Sequence, residues 1–177
     1  MGGRSPARRV RYAVGMSLDG FIADAEDGTS WMTHDRAYDA RPFFASIDTV
    51  LVGRRSFEVM LRHGQRSYPG LRTIVFSRTL TARDHPEVTI VSGGAASAVR
   101  ALREAPGRDI WLSGGGVLFA SLLEAGVVDT VELGVCPILL GSGKAFLPTG
   151  VASRRLALTH QQALPSGLLL LSYDLVV

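Results

Sequence analysis

Three strings in this sequence join anion-binding groups to glycines that let an anion come close: Gly53-Arg54-Arg55-Ser56, Ser92-Gly93-Gly94 and Ser113-Gly114-Gly115-Gly116-Val117. Each follows a short apolar run and precedes a helical pattern. At such a strand-to-helix turn the first backbone N–H groups of the helix lack partners and the helix dipole is positive, so a phosphate is stabilised where no side chain blocks it. Three consecutive glycines exceed what chain reversal needs, because each costs conformational entropy on folding. Close approach by a ligand accounts for Gly114 to Gly116; tight packing of a helix on its strand is the alternative.

The first turn offers Arg54, Arg55 and Ser56, and the next strand ends at Ser77-Arg78. Parallel strands bring their C-terminal ends to one edge, where ligands of open α/β sheets bind, so these groups can converge on one anion. A phosphomonoester suits them. NADP carries such a group on its adenosine ribose, whereas NAD leaves the arginines without a partner. The G-x-G-x-x-G fingerprint is absent, as is its acidic companion about 20 positions on, which disfavours a standard dinucleotide-binding domain.

These turns need a sheet to hold them. Strands are expected at Arg11 to Met16, Thr49 to Val52, Thr73 to Phe76, Val88 to Val91, Ile110 to Leu112, Val131 to Ile138, Arg155 to Gln161 and Leu168 to Asp174. Several are continuous apolar runs, the pattern of strands buried on both faces. Helical spacing marks Asp35 to Ser46, Ser56 to Arg62, Ala95 to Glu104 and Val117 to Glu124. The alternation implies a mostly parallel sheet between two helical layers. Pro165-Ser166-Gly167 reads as the turn of a C-terminal antiparallel hairpin.

With 177 residues, 46% of them hydrophobic, the chain can bury one core without metals or disulfides. Residues 1–9 read as a disordered basic arm and residues 10–177 as a single domain. One cysteine, Cys136, builds neither an intrachain disulfide nor a cysteine-based zinc site, so no metal is expected and a reducing, cytoplasmic compartment is. No run of about 18 apolar residues appears, which argues against a transmembrane helix. The net charge of +3 is small and dispersed, giving little support to nucleic-acid binding. Eighteen of the 19 basic residues are arginine, which suits phosphate and carboxylate partners but also fits a compositional bias.

Five segments in order, Met16-Ser17-Leu18-Asp19-Gly20-Phe21-Ile22-Ala23, Val52-Gly53-Arg54-Arg55-Ser56-Phe57-Glu58, Ser113-Gly114-Gly115-Gly116, Val128-Asp129 and Pro137-Ile138-Leu139-Leu140-Gly141-Ser142-Gly143-Lys144, carry a resemblance. The chain resembles the dihydrofolate reductase-like superfamily, in particular the reductase domain of riboflavin-biosynthesis deaminase-reductases. That resemblance implies a three-layer α/β/α fold with an eight-stranded sheet, NADPH across its C-terminal edge, and a homodimer in many relatives. It gives Val14 and Ile22 to the nicotinamide end, Arg54, Arg55 and Ser56 to the phosphates, Ser77 and Arg78 to the adenosine side, and Gly114-Gly115 to a cis peptide. Gly116, Val117 and Leu118 continue the second turn along the cofactor. Asp39 falls near the acidic residue that holds the pterin in dihydrofolate reductases, while Met16 and Trp31 are candidates to line the substrate cleft. The bare alternatives are a surface aspartate stabilised by a helix dipole, core residues, and for Asp19 a turn-organising role.

The zinc-deaminase pair of motifs, H-x-E followed by P-C-x-x-C, is incomplete with Cys136 alone, leaving only a reduction step. Three functions follow from the resemblance. The first is NADPH-dependent reduction of 5-amino-6-(5-phosphoribosylamino)uracil or a related small molecule. The second is dihydrofolate or pterin reduction, which makes Asp39 essential. The third is NADP binding without catalysis, as in a sensor.

Overall fold

In the computed structural model, which describes residues 7–176, β1 (Val10–Ser17) and a short β2 (Phe21–Ala23) lead to α1 (Arg41–Ser46), β3 (Ile47–Gly53) and α2 (Arg54–Arg62). Next come β4 (Arg72–Phe76), β5 (Thr89–Val91), α3 (Ala95–Glu104), β6 (Asp109–Gly114) and α4 (Gly116–Glu124). The chain ends with β7 (Thr130–Cys136), β8 (Lys144–Ala145), β9 (Leu156–Ala163) and β10 (Leu169–Leu175). Eight strands form one sheet in the order β5-β4-β3-β6-β1-β7-β10-β9, and β2 pairs with β8 in a small second sheet. From β5 to β7 every neighbouring pair is parallel; β10 runs antiparallel to both β7 and β9.

The continuous apolar run of β3 is explained by burial on both sides, with Ile47, Val50, Leu51 and Val52 all fully buried. On one face Val50, Val52 and Val75 pack with Phe57 and Met60 of α2. On the other, Tyr12, Leu51 and Leu112 pack with Val99 of α3 and with Phe119, Leu122 and Leu123 of α4. Tyr12 stacks on Phe119 with ring centroids 3.8 Å apart. The expected three-layer, mostly parallel α/β architecture is therefore present, with its antiparallel hairpin. Gly167, at φ +86°, closes that hairpin, and Leu164 N–H donates to the Leu168 carbonyl at 2.9 Å.

Two expectations need correction, and one pair of strands is additional. The helix expected from Asp35 begins only at Arg41, because Asp35 and Asp39 spend their carboxylates on backbone N–H groups two residues on, Ala37 at 2.7 Å and Arg41 at 3.0 Å. Such Asx turns compete with helix, and Pro42 then starts the helix in its first turn. The short pair β2 and β8 had no sequence signal; the two strands pair antiparallel, with Phe21 opposite Ala145 and Ala23 opposite Lys144. Residues 1–6 of the expected disordered arm lie outside the described residues, but Arg8 is buried, ion-paired to Asp48 and bonded to Thr49 Oγ1 at 2.8 Å. Among the described residues no helix is long and apolar enough to cross a membrane.

Phe119 bridges α4 to the centre of the sheet through its stack on Tyr12. Truncating it to alanine is expected to cost about 3–5 kcal/mol, the range for losing a buried aromatic ring. Urea unfolding reads this as a lower midpoint at unchanged slope.

Candidate functional site

β3 and β6 are parallel neighbours, and their register sets Val52 beside Gly114, so the turns that follow them lie side by side. A Cβ at Gly53 would sit 3.5 Å from the Gly114 carbonyl oxygen and 3.6 Å from the Gly115 nitrogen, and one at Gly115 would sit 3.1 Å from Ser56 Oγ. Both helices start without a side-chain cap, α2 after Gly53 and α4 after Gly115. Their first N–H groups are thus open on one edge. The Gly114-Gly115 peptide is cis.

The three glycines serve different ends. Gly114, at φ +123°, adopts a backbone conformation that L side chains rarely reach, and nothing lies within 4 Å of its missing Cβ. Gly116 is claimed by the chain itself: a Cβ there would come within 2.7 Å of the Ala145 carbonyl oxygen and 2.9 Å of that of Phe146. Close approach at Gly116 is therefore intrachain packing. Val117 is 73% exposed, whereas Leu118 packs toward the core.

Along this edge the strand ends follow in the order Ser92-Gly93-Gly94, Ser77-Arg78, Gly53 to Ser56, Gly114 to Gly116 and Met16-Ser17. Arg54 donates to Glu58 at 2.6 Å within α2, so its guanidinium is already engaged. Arg55 and Arg78 are exposed and form no ion pair among the described residues. Ser77 Oγ accepts the N–H of Thr79 at 3.2 Å and of Leu80 at 2.9 Å, so it shapes its own turn.

The substrate candidates divide between the two faces of the sheet. Val14 packs with the cluster under α3 and α4, and Met16, two residues on, shares its parity. Trp31 lies on the opposite face with Met32 and Ile138 against Cys136, its indole N–H donating to the Gly28 carbonyl at 3.1 Å. Ile22 is half-buried in β2. Asp39 bonds Arg41 through Oδ1 at 2.8 Å to Nε and Oδ2 at 2.8 Å to Nη2, contacts that hold its carboxyl below the usual range. Among the described residues its hydrogen bonds reach no group at the glycine turns.

Sequence reasoning missed the groups on the α1/α2 face directly below the turns. Trp111 is ringed edge-on by Phe43, Phe44 and Tyr68, with centroids 5.6, 5.8 and 4.9 Å away. Tyr68 OH and Ser113 Oγ lie 3.1 Å apart. Tyr68 comes from the loop between α2 and β4, whose irregular pattern carried no signal; Ser113 stood in the quoted motif without a role. Arg11, the nearby cation, is spent on Glu132 at 2.6 and 2.8 Å and on Ser46 Oγ at 2.6 Å.

Asp19 ties the β1–β2 turn to the loop after β7. It accepts Ser17 Oγ–H at 2.6 Å, the Leu140 N–H at 3.1 Å and the Gly141 N–H at 2.7 Å. These donors, the Ser17 hydroxyl foremost, lower its pKa from 3.8 to about 2. The turn-organising role expected of Asp19 is what the geometry shows.

A mostly parallel eight-stranded sheet, with glycine turns on its C-terminal edge and an antiparallel hairpin at one side, gives this chain a dihydrofolate reductase-like fold. Residues 8–170 match the model of the RibD C-terminal domain, and the chain belongs to that family, the reductase domain of riboflavin-biosynthesis deaminase-reductases. Protein YyaP of Bacillus subtilis strain 168 is 28% identical, with 94% of each chain covered. A putative riboflavin biosynthesis protein from Shewanella sp. PV-4 shares the fold at a TM-score of 0.79 and 22% identity, over 97% of this chain and 99% of that one. Dihydrofolate reductase from Enterococcus faecalis, complexed with NADP(H), shares it at 0.69 and 15%, over 96% and 97%.

Because Asp19 titrates lower in the folded chain than in the unfolded one, its contribution is complete above 3.8 and is lost as pH falls through about 2. Protection of the Leu140 and Gly141 amides against exchange, taken relative to the free-peptide rate at each pH, is expected to fall across that window and to be absent at every pH in Asp19→Ala.

Proposed function

We propose that this chain is an NADPH-dependent reductase acting on 5-amino-6-(5-phosphoribosylamino)uracil or a closely related small heterocycle. One observation carries the cofactor reading: Arg55 and Arg78, exposed and without ion pairs among the described residues, stand at neighbouring strand ends beside open glycine turns. A dinucleotide with a 2′-phosphate supplies the partner that these guanidinium groups lack. Nothing lies within 4 Å of the Cβ positions of Gly93 and Gly114, so the edge has room for a pyrophosphate.

In this reading Arg55 and Arg78 hold the 2′-phosphate, and Ser56 with the first N–H groups of α2 and α4 meets the pyrophosphate. Arg54 joins them only by leaving Glu58. Val14, Ile22 and Leu118 offer apolar contact toward the nicotinamide. When bound, the reduced cofactor supplies a hydride. The chain's own part is to orient the partners and exclude water. The riboflavin-type substrate is favoured by the family, and a two-activity protein of Thermotoga maritima named for this uracil reductase shares the fold at a TM-score of 0.68 and 18% identity, over 96% of this chain and 57% of that protein. The pterin alternative leans on Asp39, whose carboxylate is taken by Arg41.

A homodimer belongs to the same reading. β9 is exposed along all eight residues, with Leu156 and Leu158 at 42% and 49%, a surface that a second copy can cover. The buried, unpaired Cys136 suits the reducing cytoplasm.

NADPH oxidation with this uracil and with dihydrofolate tests the reaction; cofactor binding without turnover of either favours a sensor. Arg55→Ala and Arg78→Ala are each expected to weaken NADPH about tenfold or more, the loss of a charge-assisted hydrogen bond. Equal weakening of NADPH and NADH by calorimetry overturns the phosphate assignment.

A further inference from the structure

We propose that the Tyr68 hydroxyl meets the reducible group of the substrate and delivers the proton that accompanies the hydride, with Ser113 as its relay. This rests on the reductase reading above and deepens it. Ser113 immediately precedes the Gly114-Gly115 peptide, and strand alternation puts its side chain with Trp111 on the α1/α2 face. Tyr68 reaches it from the loop beyond α2, steadied by its ring edge on Trp111 and by its N–H on Thr73 Oγ1 at 3.1 Å. The pair is thus the hydroxyl couple at the strand end where the two glycine turns meet.

Around this face the His85 imidazole packs edge-on to Phe57, with His85 Nδ1 and Glu87 Oε1 buried and without hydrogen-bond partners among the described residues, whereas Arg11 and Asp39 are committed elsewhere. Arg11 is spent on Glu132, with Asp109 beside it at 3.6 Å, and Asp39 is spent on Arg41. Tyr38, 45% exposed, lies within the field of Glu132 and Arg11. Burial raises the Tyr68 pKa while the Ser113 bond opposes it, and the net upward shift keeps the phenol protonated at neutral pH.

The balance is simple. A C=N or C=O double bond of the substrate gains hydride at carbon from reduced nicotinamide, and its heteroatom takes the Tyr68 proton as the π bond breaks. The phenolate then recovers a proton from the Ser113 hydroxyl, which draws one from water. A positioned proton donor of this kind contributes about 10²–10⁴-fold.

Tyr68→Phe keeps the ring on Trp111 and removes only the oxygen. We expect NADPH affinity to be unchanged and kcat with 5-amino-6-(5-phosphoribosylamino)uracil or dihydrofolate to fall at least about 100-fold with KM little altered. Ser113→Ala is expected to give a smaller fall in kcat. Activity retained in Tyr68→Phe, or lost only in Asp39→Asn, overturns the proposal. The second readout needs no turnover: the ¹³Cζ tyrosine resonance missing from Tyr68→Phe is followed as the uracil is added to the NADP⁺ complex. Movement of that resonance supports the proposal, and a stationary resonance overturns it. Failure to bind NADPH at all is a separate result, which sinks the cofactor reading instead.

Discussion

The apposition of two backbone turns governs this edge of the molecule. Val52 and Gly114 stand side by side, and a Cβ at Gly53 would lie within 3.6 Å of the following peptide. Because α2 follows β3 and α4 follows β6 with almost no intervening loop, both helices start at the sheet edge with uncapped N–H groups. A longer connection would let the turns separate and let side chains satisfy those groups. Burial of β3 and β6 in the middle of the sheet holds the arrangement rigid. The cost in chain entropy of so many glycines is offset by packing on both faces.

The distribution of charge follows from that frame. Three arginines around the lower half of the sheet are consumed by structure: Arg8 with Asp48, Arg11 with Glu132 and Arg103 with Asp129. Asp129 also accepts the Val10 N–H at 2.7 Å, pinning the start of β1. Loops beyond the edge are tied down as well, by Asp19 to residues 140–141 and by Asp27 to Arg62. Arg55 and Arg78 stand on the edge, exposed and without ion pairs among the described residues. An unspent guanidinium beside an open helix start favours an anionic partner, since both fields have the same sign.

The C-terminal edge itself carries backbone amides and cations, and just below it on the α1/α2 face lie aromatic rings with one hydroxyl pair. A ligand spanning both would place charge on the first and an apolar, planar part against the second.

Local chemistry in the chain was enough to determine the eight strands of the main sheet, the parallel direction of most of them, the hairpin at Pro165-Ser166-Gly167 and the glycine-arginine turns, because each depends on periodicity or on backbone freedom within a few residues. Asp35 and Asp39 escaped that logic: helical spacing extended across them, while their carboxylates captured nearby N–H groups. Partnership between distant residues was decided only by the tertiary structure. Gly116 is needed by Ala145 and Phe146, about thirty positions on, and Trp31 and Met16 fall on opposite faces. Tyr68 meets Ser113 across 45 residues. Hydrogen bonds and close contacts of that kind depend on distances in space, and spacing along the chain carries no record of them.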